Sequence, residues 1–184
     1  SKAVPFTGHV ITKAGVSAVG PNDPLLKYQW HLVNNGSSQQ LPVSTPENAV
    51  VGFTEGADVG MKQVWQNPDM KGHPSIIVAV LDEGVDVTHP DLSASMWVNE
   101  DETFGSIEDA DGNGYAGDRH GYNFVKQTGK ITVNSRYDTG HGSHVAGAVA
   151  ARNNNGIGIK SIAGGDGSAD SGVRIMSCQI FAGE

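Results

Sequence analysis

The chain has 184 residues, of which 38% are hydrophobic and 17% charged, with a formal net charge of −8 and a sequence pI of about 5.2. This length is enough for one domain with its own core, and the composition is that of a globular rather than a disordered protein. The acidic balance argues against nucleic acid as a partner, because phosphate binding needs a basic face, and no run of about twenty apolar residues is present to span a membrane.

The first part of the chain predicts an arm and an entry segment that precede the core. Residues 1–21 mix Gly, Pro and Thr without periodicity, and we expect an N-terminal arm packed on the surface. Trp30 and Leu32 are predicted to anchor the next segment, which is followed by a polar turn at 34–40.

A short helix is predicted from Gly56 to Gln66, with Val59, Gln63 and Trp65 near a shared face. The Lys-Gly-His-Pro run that follows is expected to end it before the first core strand.

The first core strand is predicted at 76–82. Its apolar run is followed directly by Asp82, Glu83 and Gly84. A strand of this kind delivers its last side chain to the carboxyl edge of a sheet, so Asp82 is expected at that edge.

A long polar, glycine-rich loop is predicted at 99–140, with a short strand at 122–125. Within it Asp109, Asp111 and Asn113 carry oxygen side chains at alternating positions. This spacing resembles the start of a calcium-binding EF-hand loop, because a hard cation needs closely spaced oxygens around a tight turn.

The resemblance to an EF-hand is incomplete. The position that would carry the final bidentate Glu is His120, and no flanking pair of helices is apparent. The sequence therefore leaves two alternatives open for this loop, a calcium site or a set of Asx turns.

The last part of the chain is predicted to form a helix, a turn and a strand. A small-residue helix is predicted at 141–152, a turn at 153–158 and a second core strand at 173–180. Two apolar strands separated by a helix indicate a βαβ unit in a parallel sheet. Cys178 lies in the second strand and is interpreted as an inert buried thiol.

Asp82 and His141, about sixty residues apart, are the candidate catalytic residues. An Asp that orients a His, with the His acting as base to a nucleophile, is the arrangement of acyl-transfer catalysis. In that role Asp82 accepts a hydrogen bond from the imidazole Nδ1, and His141 takes the nucleophile's proton and returns it to the leaving amine. The simpler alternatives are an Asp that caps a turn and a His on the surface.

Two motifs at these residues resemble a known family. Residues 78–92, VAVLDEGVDVTHPDL, resemble the Asp motif of the subtilisin-like serine proteases, the subtilases, and residues 141–147, HGSHVAG, resemble their His motif. The order Asp before His is the subtilisin order. The resemblance implies an α/β fold with a parallel-sheet, three-layer subtilisin-like core, incomplete in this chain, with 22–184 as the N-terminal part of the catalytic domain.

The implied function is that of a serine endopeptidase, which hydrolyses peptide bonds of polypeptide substrates through an Asp-His-Ser triad.

Two positions depart from the usual motifs, Glu83 in place of Ser or Thr and Ser143 in place of Thr. The Gly-Thr-Ser-Met-like motif that carries the family's nucleophile is absent. The Ser is therefore expected from the C-terminal portion of the same precursor, in a missing segment or a partner chain. The alternative is a catalytically inactive, subtilase-like binding module stabilised by calcium.

The resemblance also bears on metals. Asp91 matches a residue that many subtilases use for a stabilising calcium, with partners from a loop like 153–159. The candidate calcium ligands are therefore Asp91, Asp109, Asp111, Asn113 and Asn154.

A zinc hydrolase that uses His141 and His144 is a further alternative, but the helical i, i+4 spacing of zinc peptidases is missing. The resemblance makes His144 a buried structural histidine. It also implies a secreted or cell-surface protein whose signal segment has already been removed.

Overall fold

The structure is a computed structural model that describes residues 22–37, 53–133 and 140–181. The predicted arm at 1–21 lies outside the described residues, as does the end of the turn predicted at 34–40.

Three parallel strands form the sheet. They are β1, Ile77–Asp82, β2, Gly121–Asn123, and β3, Arg174–Gln179, in the order β1-β3-β2. The register of β1 against β3 runs from Ile77 beside Arg174 to Asp82 beside Gln179. Because all three strands are parallel, their carboxyl ends meet at one edge, where Asp82, Asn123 and Gln179 lie. The predicted parallel sheet is confirmed.

The first helix is shorter than the sequence predicts. Helix α1 spans Met61–Gln66, and Val59 lies before it with 66% of its surface exposed. The residues before the helix form a turn instead, because the Asp58 carboxylate accepts hydrogen bonds from the backbone N–H groups of Asn34 and Gly60 at 2.7 and 2.6 Å. The predicted shared face is therefore wrong, and Met61 is the buried residue of α1.

The second helix covers one face of the sheet. Helix α2 spans His141–Ala150, two residues shorter than predicted, because Ala151 turns to an extended conformation at ψ 137°. Its Ala146 and Ala150, one turn apart, pack against Val80 and Ile175 of the sheet in the hydrophobic core. Small side chains at these positions let the helix approach the strands closely.

The other face of the sheet is open in the part of the chain that is described. Ile77 is 45% exposed and Leu81 59% exposed, while Val80, between them in the pleat, is 5% exposed. The α/β parallel core is confirmed, but the described residues supply two layers, the sheet and α2, rather than three. None of the described helices is long and apolar enough to cross a bilayer.

The entry segment is held by a different residue than predicted. Leu32 is buried as expected, but Trp30 is 43% exposed. Gln29 is the second anchor, since its amide donates to the Lys160 carbonyl at 2.9 Å and accepts from the Lys160 N–H at 2.8 Å. An isolated Gln gives no hydrophobic signal in the sequence, which is why this anchor was missed.

Candidate active site

Asp82 and His141 are in direct contact at the carboxyl edge of the sheet. The imidazole Nδ1 lies 2.9 and 2.8 Å from the two carboxylate oxygens. A carboxylate can only accept a hydrogen bond, so Nδ1 carries a proton, and in the neutral imidazole Nε2 keeps its lone pair. The Asp82 side chain is 13% exposed and that of His141 is 63% exposed, so the carboxylate is sheltered while the imidazole is largely open to solvent.

Two glycines make this contact sterically possible. Gly84 follows the end of β1 with φ 130°, and Gly142 is the second residue of α2. A Cβ on Gly142 would collide with the carbonyl oxygen of Gly84, and one on Gly84 would lie 2.8 Å from the Thr132 carbonyl oxygen. The start of α2 can therefore approach the end of β1 only because Gly142 has no side chain, while Gly84 has none because of the Thr132 carbonyl and its own positive φ.

Two hydroxyl groups accept hydrogen bonds from the turn that follows Gly84 and so join this turn to the core. The Val85 N–H donates to Ser177 Oγ at 3.1 Å, and the Asp86 N–H donates to Ser143 Oγ at 2.8 Å. The first bond ties the turn to β3 and the second ties it to α2. Ser143 supplies the hydroxyl that the more usual Thr would supply at this position.

The electrostatics of the pair favour the ionised carboxylate and the protonated imidazole. Burial opposes ionisation of Asp82, but the Glu83 backbone N–H, at 2.8 Å, and His141 together lower its pKa. The hydrogen bond to Asp82 and then its charge raise the pKa of His141, and the Glu83 carboxylate adds to that rise.

His144 does not occupy the buried position expected of it. It is exposed, and it lines a cavity of about 300 Å³ together with Leu25, His89, Leu92 and Ile159. The helix turns its Ala146 and Ala150 side toward the sheet, which leaves His144 on the flank, where the described residues do not cover it. Among those residues, neither His141 nor His144 belongs to a group of three metal-ligating side chains.

Asp109, Asp111 and Asn113 come together with a residue that the sequence reasoning did not include. Carboxylate oxygens of Glu102, Asp109 and Asp111 lie within 4.8 Å of one another. Glu102 is 2% exposed and accepts hydrogen bonds from the backbone N–H groups of Ala110 at 2.6 Å, Asp111 at 3.3 Å and Gly117 at 2.8 Å. Its charge thus fixes the shape of the acidic loop 109–118.

Two amides bridge the carboxylates of this loop. The side-chain nitrogen of Asn99 lies 2.9 Å from Asp111 and 2.8 Å from Asp118, and that of Asn113 lies 3.0 and 3.2 Å from the same two residues. The hydrogen bond from Asn99 is the main cause that lowers the pKa of Asp111.

These amides bear on whether a cation fits the loop. Amide oxygen and nitrogen have nearly the same shape, so a half-turn of each amide would point two oxygens at the gap that separates the two carboxylates. The donor set would then be carboxylate and amide oxygens, which suits a hard cation such as Ca²⁺.

Asp91 and Asn154 are not brought together. Asp91 is 2% exposed and meets Asn155, whose amide donates to Oδ1 at 2.7 Å, while the Ile159 N–H donates to Oδ2 at 3.1 Å. The Asn154 carboxamide instead accepts from Lys160 Nζ at 3.2 Å and donates to the Asp166 carbonyl at 3.0 Å.

Lys160 and Asp23 form a buried ion pair that no sequence pattern predicts. Their side chains are 5% and 0% exposed, with Nζ 3.5 Å from Oδ2. They lie far apart in the chain, and no local pattern links them. Cys178 is half-buried, and burial raises the pKa of its thiol, in keeping with an unreactive side chain.

Comparison with known proteins gives similarity to proteases over the same part of the chain. A sequence model of the Subtilase family matches residues 73–180. Subtilisin-like protease 1 of Plasmodium berghei is 40% identical over 87 residues, which are 46% of this chain and 14% of the relative. PC3-like endoprotease variant B of Hydra vulgaris is 33% identical over 137 residues, 74% of this chain and 14% of the relative.

A solved structure supports the fold. The Aeromonas sobria serine protease, in complex with its chaperone ORF2, aligns with a TM-score of 0.56 and 23% identity over 88% of this chain and 20% of its own chain. The chain thus spans about a fifth or less of the length of these similar proteins. Because the family model covers more than half of its residues, with both motifs inside the match, the chain belongs to the subtilase family.

Proposed function

We propose that this chain supplies the acid-base half of a serine endopeptidase, with Asp82 as the orienting carboxylate and His141 as the general base. The observation that carries the proposal is the contact of Nδ1 with both carboxylate oxygens at 2.9 and 2.8 Å, combined with an exposed imidazole. A carboxylate that only capped a turn would not also hold a His side chain with its proton on Nδ1.

In the proposed mechanism Nε2 of His141 removes the proton of a serine hydroxyl as that oxygen attacks the substrate's peptide carbonyl. The imidazolium that forms is stabilised by Asp82, and it then donates the proton to the leaving amine. An acyl-enzyme results, and water releases it with His141 again as base.

The nucleophile and the donors that stabilise the tetrahedral intermediate would come from the C-terminal portion of the same precursor. The open face of the sheet supports this. Parallel sheets are normally covered on both faces, and Leu81, the fifth of the six residues of β1, is 59% exposed. The same portion would cover that face while it brings the serine to His141.

A fluorophosphonate probe tests the proposal on the native precursor or its processed complex. The expected result is a covalent label on a serine outside this segment, lost in His141→Ala because the serine is no longer activated. His73→Ala is the matched control, because His73 is exposed and precedes β1 at the opposite end of the sheet. A folded preparation that takes up no label, or a His141→Ala variant labelled as fast as the control, would favour the inactive binding module.

We further propose that the acidic loop 109–118 binds Ca²⁺ for stability, through Asp109, Asp111 and Asn113 with Asp118 and Asn99. The support is the close approach of the Glu102, Asp109 and Asp111 carboxylates, since like charges repel one another and clustered oxygens suit a hard cation. A calcium-dependent, secreted or cell-surface setting is part of this proposal. The ion would stabilise the folded state and take no part in the chemistry.

A further inference from the structure

The buried pair of Lys160 and Asp23 joins two distant parts of the chain. Segment 22–37 carries Asp23, and the loop 153–160 ends in Lys160. Around the pair the backbone is also tied, since the Asn154 N–H donates to Asp23 Oδ1 at 2.7 Å and the Leu25 N–H donates to the Gly158 carbonyl at 2.9 Å.

The groups around the Lys160 ammonium are ones that stabilise a positive charge. Lys160 Nζ lies 3.5 Å from Asp23 Oδ2, 3.2 Å from Asn154 Oδ1 and 5.0 Å from the centroid of the Trp65 ring. A carboxylate, an amide oxygen and the face of an indole all stabilise positive charge. The Asn154 side-chain oxygen therefore already accepts a hydrogen bond from the ammonium.

Asp91 is occupied as well, by hydrogen-bond donors. Both of its oxygens accept N–H groups of the same loop, from Asn155 and Ile159. Gly158 passes so close that a Cβ there would collide with Asp91 Oδ2. The Asn154 oxygen is thus bonded to an ammonium, while the two oxygens of Asp91 accept N–H groups of the loop.

We propose that the ammonium of Lys160 is the built-in cation of the loop 153–160, and that this loop binds no calcium through Asp91 and Asn154. The single charge of Lys160 neutralises Asp23 and latches segment 22–37 to the loop. A divalent cation beside it would be repelled by the ammonium and would have to strip Asp91 of its donors. Burial lowers the pKa of Lys160 and raises that of Asp23, and the attraction between the two opposes both shifts.

Hydrogen exchange of the full-length protein, followed by mass spectrometry with calcium or with a chelator, tests the absence of calcium. The expected result is that amides of 22–37 and 153–160 exchange equally fast in both conditions, relative to amides of β3. Normalising to β3 removes any general loss of stability caused by calcium leaving another site. Selective acceleration of 153–160 in chelator would overturn the proposal.

Lys160→Met tests the latch, with Lys71→Met as the matched control. Both remove one positive charge near Asp166, but the Lys71 side chain is 39% exposed where that of Lys160 is 5% exposed. Leaving Asp23 buried without a cation is expected to speed exchange of 22–37 on the order of a hundredfold, and Lys71→Met only slightly. Equal effects of the two substitutions would overturn the proposal.

If Lys160→Met does not fold, Asp23→Asn combined with Lys160→Met decides the matter, because it removes both charges at nearly constant volume. The proposal expects this double variant to fold and to keep 22–37 protected. A double variant no more stable than Lys160→Met alone would show that the charge pair is not what holds the segment.

Discussion

At the scale of single residues, Glu83, which stands where the family usually has Ser or Thr, has a definite chemical consequence. Its carboxylate lies next in the chain to Asp82 and adds to the rise in the pKa of His141. A general base works only when neutral, so a higher pKa moves the acid limb of activity to higher pH. The usual Ser or Thr would not exert this effect.

We predict that Glu83→Gln moves the acid limb of the kcat/KM profile of the intact protease to lower pH. The amide keeps the size of the side chain and removes the charge that favours the imidazolium. Asp69→Asn is the control, because Asp69 lies before β1, at the end of the sheet opposite Asp82. Profiles of the two variants that superimpose on that of the unmodified enzyme would contradict the prediction.

At the scale of elements, the contact between Asp82 and His141 depends on how closely the start of α2 approaches the end of β1. Gly142 allows this approach, and the hydroxyls of Ser143 and Ser177 maintain it by accepting hydrogen bonds from the backbone of the turn that follows Gly84. The sequence predicted both elements and the residues at their ends, Asp82 and His141. It did not predict which backbone atoms would touch, because that depends on the packing of α2 on the sheet.

Gly142→Ala is predicted to displace His141 from Asp82. The new methyl group collides with the Gly84 carbonyl, so the helix must shift, at a cost of about 1 to 3 kcal/mol in the free energy of unfolding. Activity should fall further than stability, because a shift of about 1 Å in the base costs on the order of a hundredfold in rate. Urea denaturation and kcat/KM provide the two measurements.

Ala148→Ser serves as the control for that prediction. It adds one heavy atom in the same helix at an exposed position, and should change stability by no more than about 0.5 kcal/mol. If Gly142→Ala behaves like this control, the close approach is not what positions the His.

At the scale of the whole molecule, one face of the sheet is left uncovered by the residues that the structure describes. The β1 residues on that face, Ile77, Ala79 and Leu81, are apolar and exposed in the described structure. Scattered exposed hydrophobic residues are common in proteins, but a whole face of a parallel sheet is not. A layer from the C-terminal portion, as proposed above, would explain why β1 is apolar on its exposed side as well.

Leu81→Asp is predicted to destabilise the full-length protein by about 3 kcal/mol or more, because a charge would be buried under the covering layer. Ile107→Asp is the control, since Ile107 is 96% exposed and outside the sheet. Thermal or urea unfolding measures both. Two variants of equal stability would indicate that nothing covers this face.

The acidic loop also acts at this scale, through ligand-linked stability. Saturating calcium is predicted to raise the Tm of the full-length protein by several degrees, since about a hundredfold excess over Kd adds roughly 2.7 kcal/mol. Asp111→Asn should abolish most of this increase, and Asp170→Asn, an exposed carboxylate outside the loop, should not. A full calcium response in Asp111→Asn would rule out the loop as the stabilising site.

The sequence by itself determined the family, the parallel α/β core and the two candidate catalytic residues that meet at the edge of the sheet. These follow from local patterns: an apolar run that ends in Asp82, and a small-residue helix that begins with His141. It also located the oxygen-rich loop, because Asp109, Asp111 and Asn113 are close along the chain.

Only the tertiary structure decided which distant side chains share a site. Glu102 joins the acidic loop through backbone N–H groups, Asn155 rather than Asn154 reaches Asp91, and Lys160 pairs with Asp23 across the fold. His144 is exposed because the packing of α2 sets which side of the helix faces the sheet. Periodicity specifies the conformation of a segment, but contacts between distant segments depend on how closely their backbones pack, and that is fixed only when the whole core assembles.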